Sequence, residues 1–138
     1  MKKCTFFGHK NTPPSVIPLL KKTIAKLIED DVVVFYVGTQ GQFDSYCYRI
    51  LKDLKTTFPK IRVYRVLAYM PTDSELSEDS IYPQGIEETP KRFAISYRNK
   101  WMIDRCDYVV SYVTHSASRA YKFEQLAKRK GKKVINIA

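Results

Sequence analysis

Two nearly continuous apolar runs constrain the fold of this 138-residue chain more than any other feature of its sequence. Residues 32–37 read VVVFYV and residues 108–113 read YVVSYV, so both runs are rich in β-branched and aromatic side chains. A strand has this composition when both faces of its sheet are covered, whereas a strand with one solvated face alternates apolar and polar residues. The two runs therefore predict central strands with helices on both sides.

The rest of the chain alternates between strand and helix patterns. Further apolar runs occupy residues 4–8, 61–69 and 134–138, and the run at 32 extends to Gly38. Helical spacing of apolar residues begins near Thr12 or Ser15 and then recurs over residues 43–58, 89–101 and from about 118 to 130. This order predicts an α/β fold, a Rossmann-like three-layer αβα sandwich with a parallel five-stranded sheet of order 3-2-1-4-5. Residues 1–138 are expected to form a single domain.

Two segments and the strand order refine this expectation. Thr89-Pro90 is typical of a helix start, and the third helix should turn Phe93, Ala94, Tyr97 and Trp101 inward. The connection over residues 68–89 carries no clear element and is interpreted as a lid or a disordered loop. The strand order places a crevice beside the carboxyl ends of the first and fourth strands.

Composition excludes several classes of protein. The chain is 44% hydrophobic and 13% aromatic, which is incompatible with disorder. No apolar stretch reaches the ~18–20 residues of a membrane span, so we expect no membrane partner. Cys4, Cys47 and Cys106 are odd in number, far apart and never in a CxxC pair, so we expect reduced thiols and a cytoplasmic protein. We expect neither a metal site nor a cofactor.

The charge of the chain is strongly basic and unevenly distributed. The formal net charge is +10, yet residues 71–90 hold six of the 14 acids and no Lys or Arg. The basic remainder should attract phosphates, and the acidic segment could lie over its surface. A generic basic surface with a solvated loop explains the same numbers. Tyr69 and Tyr82 in this connection offer rings on which a base could stack.

Glycines mark the ends of the first two predicted strands. Gly8 ends the first strand, and Gly38 and Gly41 follow the second, immediately before a helix. Glycine permits a sharp turn, and the unpaired amides at a helix start can bind an anion. A tight strand-to-helix turn needs glycine without any ligand as well. Asp44, in the first helical turn, is interpreted either as an acid that stabilises the helix dipole or as a partner for ribose hydroxyls.

The remaining candidates are basic or titratable. His9 and His115 are the only histidines, and the proposed strand order brings them together at the crevice, where either could contact a ligand. Arg98 flanks the buried face of the third helix and could hold a phosphate bidentately, or it could be a surface side chain. Arg92 competes with Arg98 for the phosphate role.

Five segments carry a family resemblance: TFFGHK at 5–10, FYVGTQGQFD at 35–44, VLAY at 66–69, RNKWMI at 98–103 and RKGKKVIN at 129–136. Together they resemble small bacterial proteins of the SLOG superfamily, which is named after the Smf/DprA and LOG proteins. The resemblance implies a Rossmann-like domain that binds a nucleotide or a nucleotide-derived ligand at the glycine turns. The expected ligand-binding residues are Gly8, His9, Lys10, Gly38, Thr39, Gln40, Gly41, Asp44, Tyr69, Arg98, His115 and Ser118.

The resemblance leads to three functional hypotheses. For one of them, the enzyme, the expected motif is not present in the sequence. The leading hypothesis is a nucleotide-ligand sensor, with self-association compatible with the tyrosine-rich surface. LOG enzymes cleave nucleoside monophosphates with a PGGxGTxxE segment, but residues 115–120 read HSASRA. A phosphoribohydrolase would have to use Glu124 or Asp44 as its catalytic acid. The third hypothesis is binding of single-stranded nucleic acid, as the resemblance to DprA implies.

Overall fold

A computed structural model describes residues 1–70 and 78–138 of the chain. Within these two ranges, six parallel strands form one sheet in the order β4-β3-β2-β1-β5-β6. The strands are β1 Lys2–Gly8, β2 Val32–Val37, β3 Arg62–Val66, β4 Ser80–Ile81, β5 Tyr108–Tyr112 and β6 Lys133–Asn136. The α-helices are α1 Ile17–Glu29, α2 Gln42–Thr57, α3 Ala94–Arg105 and α4 Arg119–Arg129.

The sheet contains one strand more than the sequence predicted. The five longer strands have the expected relative order, but the five-strand count is wrong because β4 extends the sheet beyond β3. Two hydrogen bonds attach this edge, from Arg65 N to Asp79 O (2.9 Å) and from Leu67 N to Ile81 O (2.8 Å). A strand of two residues is too short to produce a periodic pattern, so only the pairing with β3 defines it.

Two apolar layers cover the sheet, as the continuous strands predicted. Successive residues of β1 point to opposite faces, so Phe6 packs with α1 and α2 while Phe7 packs with α3 and α4. Phe6 stacks on Phe35 with ring centroids 6.2 Å apart, and Phe7 stacks on Phe123 at 5.8 Å. The α/β class with helices on both faces is therefore confirmed.

The buried face of α3 differs from the one expected. Phe93 precedes the helix and is 50% exposed, and Tyr97 and Trp101 are only half-buried. The fully buried face instead consists of Ala94, Arg98, Asn99, Met102 and Ile103. Thr89 does not cap α3, because a 3₁₀ turn over Lys91–Phe93 comes between them. The prediction placed Arg98 and Asn99 outside the buried face because Arg and Asn are usually surface residues. The predicted buried face therefore lay on a different side of the helix from the observed one.

The described part of the connection between β3 and α3 contains elements that the sequence did not predict. Besides β4 it contains a 3₁₀ turn over Ile86–Glu88, and Ile86 is buried with Ala68 and Ala94. Asp79 pairs with β3 through its backbone carbonyl, and its carboxylate accepts a hydrogen bond from the Tyr48 hydroxyl of α2 (2.6 Å), so this part of the acidic segment lies beside β3 and α2. Its members Asp73 and Glu75 fall outside the described residues.

Three further observations concern the described ranges as a whole. All three cysteines are free and buried, and burial raises the pKa of the Cys4 and Cys47 thiols. Within residues 1–70 and 78–138, no group of three or more His, Cys, Asp or Glu side chains is arranged to hold a metal ion. No helix in these ranges combines the length and apolar character needed to cross a bilayer.

Candidate functional site

A cavity of about 460 Å³ lies at the carboxyl edge of the sheet, and we refer to it as the central cleft. It is bounded by the turns after β1 and β2, by the start of α4 and by one face of α3. Its lining residues are Phe6, Phe7, Gly8, His9, Lys10, Gln40, Gly41, Asp44, Ile95, Arg98, Asn99, Met102, Ser118, Arg119, Ala120 and Phe123.

The turns after β1 and β2 touch each other at the cleft. The backbone N–H of Gln42 donates to the carbonyl of Lys10 at 2.9 Å, which joins the two turns directly. A second tie runs from the Tyr46 hydroxyl to the carbonyl of Thr12 at 3.0 Å. Parallel neighbouring strands end at the same edge, so residues about thirty positions apart in the chain become adjacent.

At the glycines of these turns, atoms of the protein itself occupy the space that a side chain would need. A Cβ on Gly8 would lie 2.2 Å from Cγ of Phe43, and one on Gly38 would lie 2.7 Å from a carboxylate oxygen of Asp44. Gly41 has a φ of +91° and faces the backbone of Lys10. Close packing of the chain therefore requires all three glycines, whether or not a ligand approaches them.

Arg98 lies at the floor of the cleft and is 2% exposed. Its guanidinium donates to the carbonyl of Val66 (3.0 Å), to Oε1 of Gln40 (2.7 Å) and to Oδ1 of Asn99 (2.8 Å). These bonds connect α3 to the end of β3 and to the turn after β2. Arg98 is thus a buried positive charge that orders the turn, rather than an exposed clamp. Burial lowers its pKa.

Asp44 lines the cleft from the first turn of α2. One carboxylate oxygen accepts a hydrogen bond from the backbone N–H of Gln40 at 3.0 Å. Burial raises the pKa of Asp44 to about 6, although the Arg98 charge and the Gln40 bond act in the opposite direction. Among the described residues that line the cleft, Asp44 is the one carboxylic acid. The charge at this position therefore changes in mildly acidic solution.

The two histidines converge, as their strand ends predicted. Their rings stack in parallel with centroids 4.3 Å apart, and His9 lines the cleft while His115 is exposed beside it. Nε2 of His9 accepts a hydrogen bond from the backbone N–H of Thr114 at 2.8 Å. Burial, followed by the His115 charge, lowers the pKa of His9. His9 is therefore neutral at neutral pH and is not a cation for a phosphate there.

The first turn of α4 supplies an anion-binding arrangement. Ser118 is the N-cap, and its Oγ accepts from the N–H of Tyr121 at 3.1 Å. The amides of Arg119 and Ala120 precede the first intrahelical bond, so they are available at the cleft beside the positive end of the helix dipole. The exposed side chains of Arg119 and Lys10 add two cations.

Sequence reasoning missed Arg119 and Asn99 as cleft residues. Asn99 is 5% exposed, and within residues 1–70 and 78–138 the one hydrogen bond of its side chain is the one that Oδ1 accepts from Arg98. Its amide nitrogen can therefore donate into the cleft. The available signal for Arg119 was its place directly after the N-cap Ser118, at the start of the helix that follows the buried strand β5.

Several expected site residues lie elsewhere. Thr39 and Tyr69 line a second cavity of about 570 Å³, which we call the Tyr69 groove, together with Gln40, Arg65, Leu67, Ala68, Met70 and Lys91. Gly38 is buried behind Asp44 and Arg98. Glu124 is 3% exposed and does not line the cleft, because its carboxylate accepts from Ser111 of β5 and lies 3.8 Å from Lys128.

Solved structures similar to this chain include DNA processing protein A (DprA) from two bacteria. DprA from Streptococcus pneumoniae superposes with a TM-score of 0.72 and 18% identity, over 96% of this chain and 49% of that one. The chain has the Rossmann-like fold found in DprA. DprA from Helicobacter pylori, in a structure that concerns its single-stranded DNA binding mode, gives 0.61 and 16%, over 96% of this chain and 63% of that one.

This likeness extends to the fold and to part of the DprA proteins only. The chain spans about half of one DprA chain and less than two thirds of the other. No protein-family model matches the sequence, and no curated protein matches it either. The Rossmann-like part of the resemblance seen in the sequence is thus supported by structure.

Proposed function

We propose that this protein binds single-stranded nucleic acid and that one phosphate of the strand lies in the central cleft against the first turn of α4. The observation that carries the proposal is the meeting of this helix start with Lys10 and Arg119 above the buried charge of Arg98. Helix N-termini favour phosphates because unpaired amides and the helix dipole act together. The DprA-like fold supports the same occupant, since one of the two DprA structures concerns single-stranded DNA.

The charges around the cleft favour an anion. Lys10 and Arg119 lie exposed at the rim, Arg98 lies at the floor, and Asp44 opposes them as the one acid among the described lining residues. Charge-assisted hydrogen bonds of this kind are stronger than neutral ones. Single-stranded nucleic acid commonly binds in positively charged grooves that follow its backbone.

A free nucleotide is the second candidate, and the size of the cleft favours it. A volume of about 460 Å³ falls within the ~300–1,000 Å³ of small-molecule pockets. The same phosphate contacts would hold a mononucleotide. The two candidates differ in whether neighbouring nucleotides add affinity, so they can be separated by competition.

The test measures fluorescence anisotropy of a labelled oligothymidylate and an oligouridylate, each of about 12 nucleotides, which suits site sizes of ~4–16. The wild type should bind at low salt. Arg119→Ala should weaken binding about tenfold, since a hydrogen bond to a charged group contributes roughly 1.5–3 kcal/mol. Arg129→Ala is the matched control, because it removes the same charge from the far end of α4.

Each outcome has a defined meaning. No binding at low salt by a folded sample, or equal losses in the two variants, would overturn the proposal. Competition by a nucleoside monophosphate as strong as that of the unlabelled strand would favour the free-nucleotide candidate. A strand that competes more strongly than its monomer supports single-stranded nucleic acid as the occupant.

A further inference from the structure

The central cleft and the Tyr69 groove meet at Gln40, which lines both cavities. Oε1 of Gln40 accepts from the Arg98 guanidinium (2.7 Å) and from the Thr39 hydroxyl (3.2 Å). These two hydrogen bonds fix the Gln40 side chain between the two cavities, with its amide nitrogen on the side away from Arg98. The amide nitrogen can therefore donate a hydrogen bond to a ligand. A ligand that extends beyond the central cleft on this side therefore enters the groove past a positioned hydrogen-bond donor.

The groove presents apolar and cationic side chains together. Tyr69 is 38% exposed and Met70 is 70% exposed, although most large apolar residues of the described chain are buried. The ammonium of Lys91 lies 5.6 Å from the centroid of the Tyr69 ring. Arg65, also in the groove, holds its guanidinium 5.1 Å from the Tyr48 ring centroid. Tyr69 and Met70 are adjacent in the chain, and exposed apolar side chains that adjoin one another can form part of a binding surface.

This combination matches the two parts of a nucleotide. Bases stack on aromatic rings with little regard for their identity, because every base has a π-face. A methionine adapts its shape to a flat apolar partner. A lysine beside the ring can meet the phosphate that joins this base to its neighbour.

We propose that the Tyr69 groove is a second nucleotide subsite, in which a base of the strand stacks on Tyr69 while the neighbouring nucleotide occupies the central cleft. Lys91 and Gln40 contact the connecting phosphate. This inference rests on the proposed function and specifies how a strand, as distinct from a single nucleotide, is held.

The experiment measures affinity against strand length. Thymidylates of one to about four nucleotides, each with a 5′-phosphate, are titrated by calorimetry into the wild type, Tyr69→Ala and Tyr69→Phe. In the wild type and Tyr69→Phe, affinity should rise about tenfold when the second or third nucleotide is added, as base stacking predicts. Tyr69→Ala should lose this gain and keep the affinity for the monomer.

A control variant and a spectroscopic signal isolate stacking. Phe93→Ala removes an aromatic side chain that is 50% exposed and lies outside both cavities, so its length dependence should equal that of the wild type. A strand containing 2-aminopurine should be quenched on binding to the wild type and to Tyr69→Phe. Binding to Tyr69→Ala should leave its fluorescence higher.

The experimental results that would overturn the second subsite differ from those that would overturn the proposed function. If Arg119→Ala weakens strand binding while Tyr69→Ala leaves the length gain and the quenching intact, the subsite is overturned and the proposed function stands. The subsite is overturned equally if strands and monomers bind the wild type with one affinity. If no strand binds the folded wild type, the proposed function itself is wrong and this inference is wrong with it.

Discussion

At Gly8 the absence of a side chain is a packing requirement. A Cβ there would lie 2.2 Å from Cγ of Phe43, which is 1% exposed in the core beneath α2. Gly8→Ala must therefore displace either β1 or the start of α2. We expect a loss of about 3 kcal/mol in the free energy of unfolding, at the upper end for overpacked cores. Urea denaturation measures this value.

Gly131→Ala provides the comparison for Gly8. Gly131 has a φ of +77°, and nothing lies within 4 Å of the Cβ position. Only the left-handed backbone penalty of about 1–2 kcal/mol applies there. Losses of equal size in the two variants would mean that the contact with Phe43 relaxes without cost.

Asp44 should make stability fall as pH rises from about 4 to 6. Its native pKa of about 6 lies above the ordinary value of 3.8, so in this interval the native state keeps a proton that the unfolded state has released. Stability decreases with pH wherever the native state binds more protons. Asp44→Asn should remove this component, and the difference between the two unfolding curves over pH 4–7 measures it. His9, whose pKa is lowered, contributes with the opposite sign and cancels in that difference.

Strand binding should follow the same titration of Asp44. Above pH 6 its carboxylate is ionised inside the cleft, so the affinity for a phosphate should fall about three- to tenfold between pH 5 and 7, as expected for a nearby like charge. Asp44→Asn should show a smaller change over this interval. An unchanged pH profile in the variant would contradict a phosphate position near Asp44.

At the scale of the element, the start of α4 combines two roles that can be separated at Ser118. Its Oγ caps the helix, and the residue also lines the cleft. Ser118→Ala should lose about 1 kcal/mol of stability. Ser118→Asp should keep the cap and most of the stability, but its charge should weaken strand binding severalfold. Thermal unfolding and anisotropy measure the two effects.

Ser116→Ala and Ser116→Asp serve as controls in the same loop. Ser116 is exposed and does not line the cleft, so neither change should alter stability or binding to the same extent. If Ser118→Asp binds the strand as tightly as the wild type, the phosphate does not lie at the start of α4.

The elements also show which patterns the sequence could reveal. The amphipathic stripes of α1, α2 and α4 gave their positions to within a few residues, because aliphatic side chains form those buried faces. The apolar pattern of α3 predicted the wrong buried face, because Arg98 and Asn99 lie on the face that is buried. Burial of a polar side chain is costly unless it is hydrogen-bonded, and the partners of Arg98 come from β3 and from the turn after β2.

At the scale of the whole molecule, part of the basic charge behind the net +10 lies at the last turns of the helices. Each helix returns from the carboxyl edge, so the basic residues in the last turns lie at the opposite edge, away from the cleft. They are Lys26, Lys55, Arg105, Lys128 and Arg129. These residues meet the negative ends of the helix dipoles. Five of the 24 Lys and Arg residues therefore have a structural explanation.

The salt dependence of strand binding should be set by the number of cations that line the two cavities, and not by the net charge of the whole protein. Three exposed cations line the two cavities: Lys10, Lys91 and Arg119. At ~0.7 per neutralised phosphate on a single strand, they predict a slope of about −2 for log affinity against log salt. Anisotropy titrations between low and moderate salt measure this slope. A slope near −7 would indicate that the whole basic surface binds nonspecifically.

The sequence by itself determined the α/β class, the relative order of the five longer strands and the meeting of His9, His115 and the two glycine turns at one edge. These follow from local patterns and from the rule that parallel strands end on the same side of a sheet. Only the tertiary structure decided that β4 joins the sheet, that Arg98 is buried and that the Tyr69 groove opens beside the cleft. All three features depend on residues that are distant in the chain: strand pairing, the burial of a polar side chain and the shape of a cavity. A local sequence pattern does not show which distant residues will come into contact.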